Sequence, residues 1–446
     1  MNAISLHRSA ALLLLVAALT SLNAETPPWL EADAARLQPD LVAARRDFHQ
    51  NPELSNGEER TARVVADRLR SLGLEVRAGV AKHGVVALLR GSRPGAVVAI
   101  RADMDALPIE ETRDVPFKSR QPGVMHACGH DAHTAIALGV AALLSKHKGE
   151  LPGVVKFLFQ PAEEGMPVHY TDDWGARLMI REGALENPVP QAIFALHCAP
   201  IATIRSASGE RQEIPFRAGQ IGYASGPISA NTDRFAIIVH GKMAHGSAPQ
   251  HGVDAIQVAA AIVTELQTIR SRHVDTQDPL VVTIGTIRGG QRENILAENV
   301  EMTGTVRTHD VRVQDRVIAL MKQIVKGVAE AHGATAEVEY RKGYPASINN
   351  VALVARMLPV VQKLVGNDHA FELEPSMGGE DFSYFAQKVP GFYLRLGVTP
   401  PGVDKPGGLH TPDFEIDESA LLTGLRTMAA LVWESLTDPA LTNNAK

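Results

Sequence analysis

Apolar positions recur along this chain in two alternating rhythms. Residues 31–49 and 58–72 carry helical spacing, the second stretch stopped by Gly73. Short β-rich runs follow at 85–89 and 97–100. Residues 131–145 predict an apolar-faced helix opened by Asp131, an acidic residue suited to a helix N-terminus. Residues 154–159 and 192–198 are unbroken apolar runs, the pattern of strands covered on both faces. Strands alternating with helices predict a mainly parallel α/β sheet, where ligands gather at the carboxyl ends of the strands. Asp103, Glu163 and His197 all fall at or just after such an end.

A different order begins near Ser229. Residues 234–240, 280–287, 300–308 and 335–341 read as strands, with helices at 254–269 and 313–332. That βαββαβ succession predicts a ferredoxin-like sandwich. The first rhythm then resumes with a helix at 351–365, a strand at 392–397 and a helix at 418–436. The expected organisation is an α/β catalytic domain in two pieces, residues 25–228 and 344–446, interrupted by the smaller unit at 229–343. His410, remote along the chain, belongs with the first piece.

A length of 446 residues is too great for one compact core and agrees with two domains. Residues 1–24 read as a removable export signal: His7 and Arg8, then an apolar run at 10–19 too short for a bilayer, then Ala24 at the cut. A periplasmic or secreted protein is expected, with no membrane attachment once the signal is gone. A net charge of −6 and the lack of a basic stripe with interleaved aromatics give no reason to expect a nucleic-acid partner.

The chemistry concentrates in His126-Ala-Cys128-Gly-His130-Asp131. In an extended segment Cys128 and His130 would face one side, as two metal ligands before a helix. Alone, that motif reads as a buried cysteine and a capping histidine. The rest of the set changes the reading. Glu163-Glu164 follows a buried strand, where adjacent carboxylates are costly unless cations neutralise them. His197 ends an apolar run and His410 lies in a turn-rich segment. Together these side chains supply enough ligands for two divalent ions and leave one carboxylate to move a proton. Asp103 and Asp105 either bind metal or orient ligands. His133, one turn from His130, is expected to pack or orient. The only cysteines are Cys128 and Cys198; a disulfide would remove a ligand, so both are expected free, with Cys198 a small core residue.

The motifs Arg101-Ala-Asp103-Met-Asp105-Ala-Leu-Pro108, Met-His-Ala-Cys-Gly-His-Asp-Ala-His-Thr, Phe-Gln-Pro-Ala-Glu-Glu, Ala-Leu-His, Gly-Lys-Met-Ala-His-Gly-Ser-Ala-Pro and Gly-Glu-Asp-Phe-Ser run in order through nearly the whole mature chain. They resemble those of the N-acyl-amino-acid amidohydrolases, the hippurate and auxin-conjugate hydrolase branch of the two-metal aminoacylase and carboxypeptidase family. The resemblance implies that Cys128, His130, Glu164, His197 and His410 are metal ligands. It implies that Glu163 is the general acid/base and that Asp105 positions a ligand. The inserted sandwich corresponds to a lid that often mediates dimerisation. On it, His245 matches a histidine that stabilises the oxyanion, in dimers by reaching across to the partner. Asn294 and Arg307 match positions that bind the carboxylate end of the substrate, and a guanidinium fork suits a carboxylate.

Two stretches depart from the family pattern: 165–173 and 201–217 are longer than the usual links and lie beside the expected pocket. The expected activity is hydrolysis of N-acyl or N-aroyl amino acids with two divalent ions. Zinc suits the thiolate and imidazoles, while manganese, nickel or cobalt suit the carboxylates too. A dipeptidase or carboxypeptidase would use the same machinery. A non-catalytic binding protein would have no use for the unligated Glu163.

Overall fold

The structure, a computed structural model, describes residues 26–165, 173–206 and 208–442. The expected export signal and most of the 165–173 stretch lie outside the described residues. No helix among the described residues is long and apolar enough to cross a membrane.

An eight-stranded mixed sheet forms the larger unit. Its centre is four mutually parallel strands, in spatial order Pro152–Gln160, Arg93–Asp103, Ala192–Ala199 and Gly391–Gly397. Ala192–Ala199 is buried at every position and Pro152–Gln160 at all but one, as the unbroken apolar runs require. The edges are less regular. Gly84–Arg90 joins Pro152–Gln160 antiparallel and pairs in a hairpin with Glu75–Val80. That outer strand has five of its six residues at least partly exposed, so its sequence carries no apolar run to announce it. At the other edge Ile221–Tyr223 runs antiparallel to Gly391–Gly397, and Ala370–Glu372 pairs with it in parallel.

Helices Leu30–Gln50, His130–Lys146 and Ala420–Thr437 pack together against the sheet. His130–Lys146 is buried on nearly every face, consistent with a sequence rich in Ala and Leu rather than one amphipathic stripe. Burial of this helix fixes its N-terminus, and with it His130, against the carboxyl ends of the parallel strands.

The second unit is a four-stranded antiparallel sheet in the order Leu280–Gly289, Asn299–Thr308, Asp233–His240, Thr335–Arg341. Helices Ala255–Leu266 and Val311–Ala331 supply its separate core with Val258, Ile262, Val317, Met321 and Val325. The βαββαβ order and this spatial arrangement are those of a ferredoxin-like sandwich. Asp254 and Asp310 cap the two helices by accepting from the N–H groups of Ile256 and Arg312. The helix expected to run to residue 269 stops at Leu266, and a π-helical turn, Ile269–His273, follows. There the hydroxyls of Thr268 and Ser271 donate back to the carbonyls of Glu265 and Gln267, competing with the helical ladder. The chain leaves the larger unit at Pro227–Ser229 and returns at Ser347–Ile348, and these two segments pair with each other.

Within the 201–217 stretch, Ile201–Arg205 pairs antiparallel with Arg211–Pro215. The base of this pair borders the central cavity, so the extra length adds a wall to the site.

Candidate metal centre

Five side chains from four distant segments meet at the carboxyl ends of the parallel strands. Cys128 Sγ lies 3.3 Å from His197 Nε2 and 3.2 Å from His410 Nε2. Glu164 Oε1 lies 3.1 Å from His410 Nε2 and 3.8 Å from His130 Nε2. Ligand atoms of Cys128, His130 and His197 lie within 4.8 Å of one another, and so do those of Cys128, Glu164 and His410. The predicted ligand set is thus brought together in full.

Local backbone geometry explains the convergence. Cys128 and His130 are not in an extended segment, as the sequence suggested. Gly129 between them adopts φ 90°, and His130 is the first residue of its helix. A Cβ on Gly129 would also stand 2.8 Å from the Cβ of Cys198, so the turn requires glycine twice over. Two non-glycine residues of the site hold left-handed backbone: Ala162, just before the carboxylate pair, at φ 53°, and His410 itself at φ 61°. Such conformations persist where the surroundings over-determine them. The N–H of Ala162 donates to Glu58, and that of His410 to the carbonyl of Ala127.

Hydrogen bonds at the far side of two of the imidazoles, His130 and His197, fix their tautomers. His130 Nδ1 meets Asp105 Oδ1 at 3.1 Å, and His197 Nδ1 meets the carbonyl of Cys198 at 2.6 Å. Both leave Nε2 as the lone-pair nitrogen, the arrangement common behind metal-bound histidines. Asp105 also accepts from Ser55 and from the N–H of Glu164, so one carboxylate orients two ligands. Asp105→Asn is expected to weaken metal affinity about 10–100-fold, measurable by chelator competition. His133 is excluded as a ligand, since Nδ1 bonds Asp103 and Nε2 accepts from the N–H of Cys198. Both cysteines are free, and Cys198 is core.

The chemistry of this donor set fits divalent cations. His130 Nε2 and Glu164 Oε1 are buried without a hydrogen-bond partner, which is costly unless something coordinates them. Burial, then Glu164 and Glu163, push the Cys128 thiol up, so a thiolate there needs added positive charge. Burial, then Arg395, hold His197 low and therefore neutral. Burial opposes a charge on His130, but Asp103, Asp105 and Glu164 outweigh it and raise the group to about 10, so a metal bound at Nε2 would displace a proton from it.

Glu163 lies deeper than Glu164. Burial, then Glu380, Glu164 and Asp381, raise it well above the usual carboxylate range. Behind it stands an ionic network that the sequence reading missed. Buried Arg101 donates to Asp103 at 2.7 Å, Asp381 at 3.0 Å and Gln160 at 2.8 Å, and pairs with Glu380 at 3.0 Å. The signal was present: an arginine ending the apolar run Val-Val-Ala-Ile must find carboxylates in the interior. Glu58, raised to about 8 by burial and then by Asp105, carried no such signal at its helix start.

These residues open onto a cavity of about 930 Å³ between the two sheets, lined by Cys128, Glu163, Glu164, His197 and His410 on one side and Arg307 on the other. His245 and Asn294 do not line it. They are exposed neighbours on the smaller unit, where the N–H of Gly246 donates to the carbonyl of Asn294.

The fold and these motifs have known counterparts. Peptidase family M20/M25/M40 matches residues 99–434. Thermostable carboxypeptidase 2 of Saccharolobus solfataricus is 38% identical over 407 residues, covering 90% of this chain and 97% of that protein. IAA-amino acid hydrolase ILR1-like 2 of Arabidopsis thaliana is 34% identical over 444 residues, covering 95% and 94%. The crystal structure of Bacillus subtilis YXEP, described as a dinuclear metal binding peptidase from the M20 family, superposes with a TM-score of 0.74 at 34% identity, over 90% of this chain and 99% of that one. A paired-cation donor set on this scaffold, matched along nearly its whole length, makes the chain a hydrolase of peptidase family M20/M25/M40.

Proposed function

We propose that this protein hydrolyses N-acyl or N-aroyl amino acids to a carboxylic acid and a free amino acid. The observation that carries the reading is the position of Glu163, buried beside the ligand cluster and lining the cavity. Cys128, His130, Glu164, His197 and His410 would hold two divalent cations, which polarise the amide carbonyl and acidify water. Zinc is the proposed metal because a thiolate and three imidazoles favour it over harder ions.

Glu163 takes a proton from the attacking water and delivers it to the leaving nitrogen. Arg101, Glu380 and Asp381 hold the surroundings of Glu163 in place, and the Tyr344 hydroxyl donates to its carbonyl oxygen at 2.8 Å. Arg307 receives the substrate carboxylate. His245 and Asn294 serve the reacting group from a second copy of the chain, so a homodimer through the smaller unit belongs to the proposal. An export signal at 1–24 supports work in the periplasm or outside the cell.

The test is metal analysis of the mature protein together with a panel of hippurate, N-acetyl amino acids and dipeptides. Two bound ions and release of a free amino acid from the first two classes are expected. Faster cleavage of dipeptides would make it a dipeptidase, and tight binding without turnover would make it a binding protein.

A further inference from the structure

Four of the ions that line the cavity are neutralised by a neighbour. Arg341 pairs with Glu339, Lys342 with Asp315, Glu374 with Arg205 and Glu380 with Arg101. Glu163 and Glu164 belong to the cation site. Three guanidinium groups remain: Arg234, Arg307 and Arg395 line the cavity and form no hydrogen bond or ion pair among the described residues.

They stand in two places. Arg234 and Arg307 lie on adjacent strands of the smaller sheet, near enough that burial and then the charge of Arg234 hold Arg307 below its ordinary range. Arg395 lies across the cavity on the larger sheet, in a strand whose residues Leu394 and Leu396 are fully buried. It is in register with His197 on the neighbouring parallel strand, so both side chains leave the same face. Its guanidinium sits 4.9 Å above the Tyr393 ring, a weak partner for a full charge.

A cation beside a two-cation centre is repelled by it, and the repulsion is strong where water is scarce. An incoming anion removes that cost. A substrate with one carboxylate satisfies Arg307 and Arg234 and leaves Arg395 unpaired. We infer that the preferred substrate is a dicarboxylate amide, with one carboxylate at Arg307 and Arg234 and the second at Arg395. The scissile bond is held at the metal centre, and it lies between the two carboxylates when the second one belongs to the acyl group. This rests on the amide-hydrolysis reading above and narrows it. The second carboxylate comes either from an acidic amino acid or from a dicarboxylic acyl group. The cavity has the volume for either.

The experiment compares near-isosteric pairs on the metal-loaded protein: N-acetylglutamate against N-acetylglutamine, and N-succinyl-leucine against its terminal amide. In at least one pair kcat/KM is expected to favour the dicarboxylate by about tenfold to a hundredfold, the worth of one charge-assisted contact. The responding pair identifies the source. Arg395→Gln is expected to erase that ratio and Arg395→Lys to restore part of it. Calorimetric Kd values for the same ligands on metal-loaded Glu163→Gln give a readout that needs no turnover. Preference in binding with no hydrolysis by the wild-type protein would remove the amide-hydrolysis reading and leave the dicarboxylate site. Ratios within about twofold for both pairs, in kcat/KM and in Kd, would overturn the inference. The wild-type comparison decides this even where Arg395→Gln does not fold.

Discussion

Glu163→Gln lowers kcat by about 10²–10⁴-fold, the usual contribution of a positioned acid–base group, while the protein still binds its metals. The amide keeps the volume of the side chain and its contact with the N–H of Asp381, but cannot take a proton from water. Metal content should hold because the two atoms that need a cation, His130 Nε2 and Glu164 Oε1, are untouched. Steady-state kinetics beside elemental analysis of the same sample separates the two effects. Full turnover, or loss of a metal together with activity, would remove Glu163 from its assigned role.

The largest expected loss of stability comes from Arg101→Met. Methionine fills much of the same space but leaves Asp103, Glu380 and Asp381 buried without their shared cation. Breaking a buried ion cluster from one side costs about 3–5 kcal/mol, to be read from urea unfolding of the metal-free protein. The pH dependence has a definite sign. Arg101 lowers the carboxyls of Asp103 and Asp381, so its loss moves both upward and the folded variant binds more protons than the folded wild-type protein. The deficit should therefore shrink as pH falls from 8 toward 5 and grow as pH rises. A pH-independent deficit would point to lost packing instead of lost charge.

The strands and helices that carry the site were legible because each is apolar for a physical reason. Ala192–Ala199 and Pro152–Gln160 are buried on both faces, and Thr335–Arg341 alternates. The ligands were legible because Cys, His and Glu at strand ends have few other reasons to gather. Less visible were elements whose neighbours, and not their own residues, decide their state. Glu75–Val80 is a strand because Gly84–Arg90 offers an edge, and Ile221–Tyr223 because Gly391–Gly397 does. The support behind the ligands was hidden for a similar reason. Arg101, Glu380 and Asp381 lie 280 positions apart at the widest and acquire meaning only as a cluster.

The contact between Cys128 and His410 closes a ring of chain 282 positions long. During synthesis, the histidine that completes the centre emerges only after the entire smaller sheet has been made, so no shorter fragment can assemble the full centre. A cation bridging the two ends then acts as a removable crosslink. Chelation should free the segment around His410 first, exposing its amides to hydrogen exchange before the parallel strands beneath begin to open.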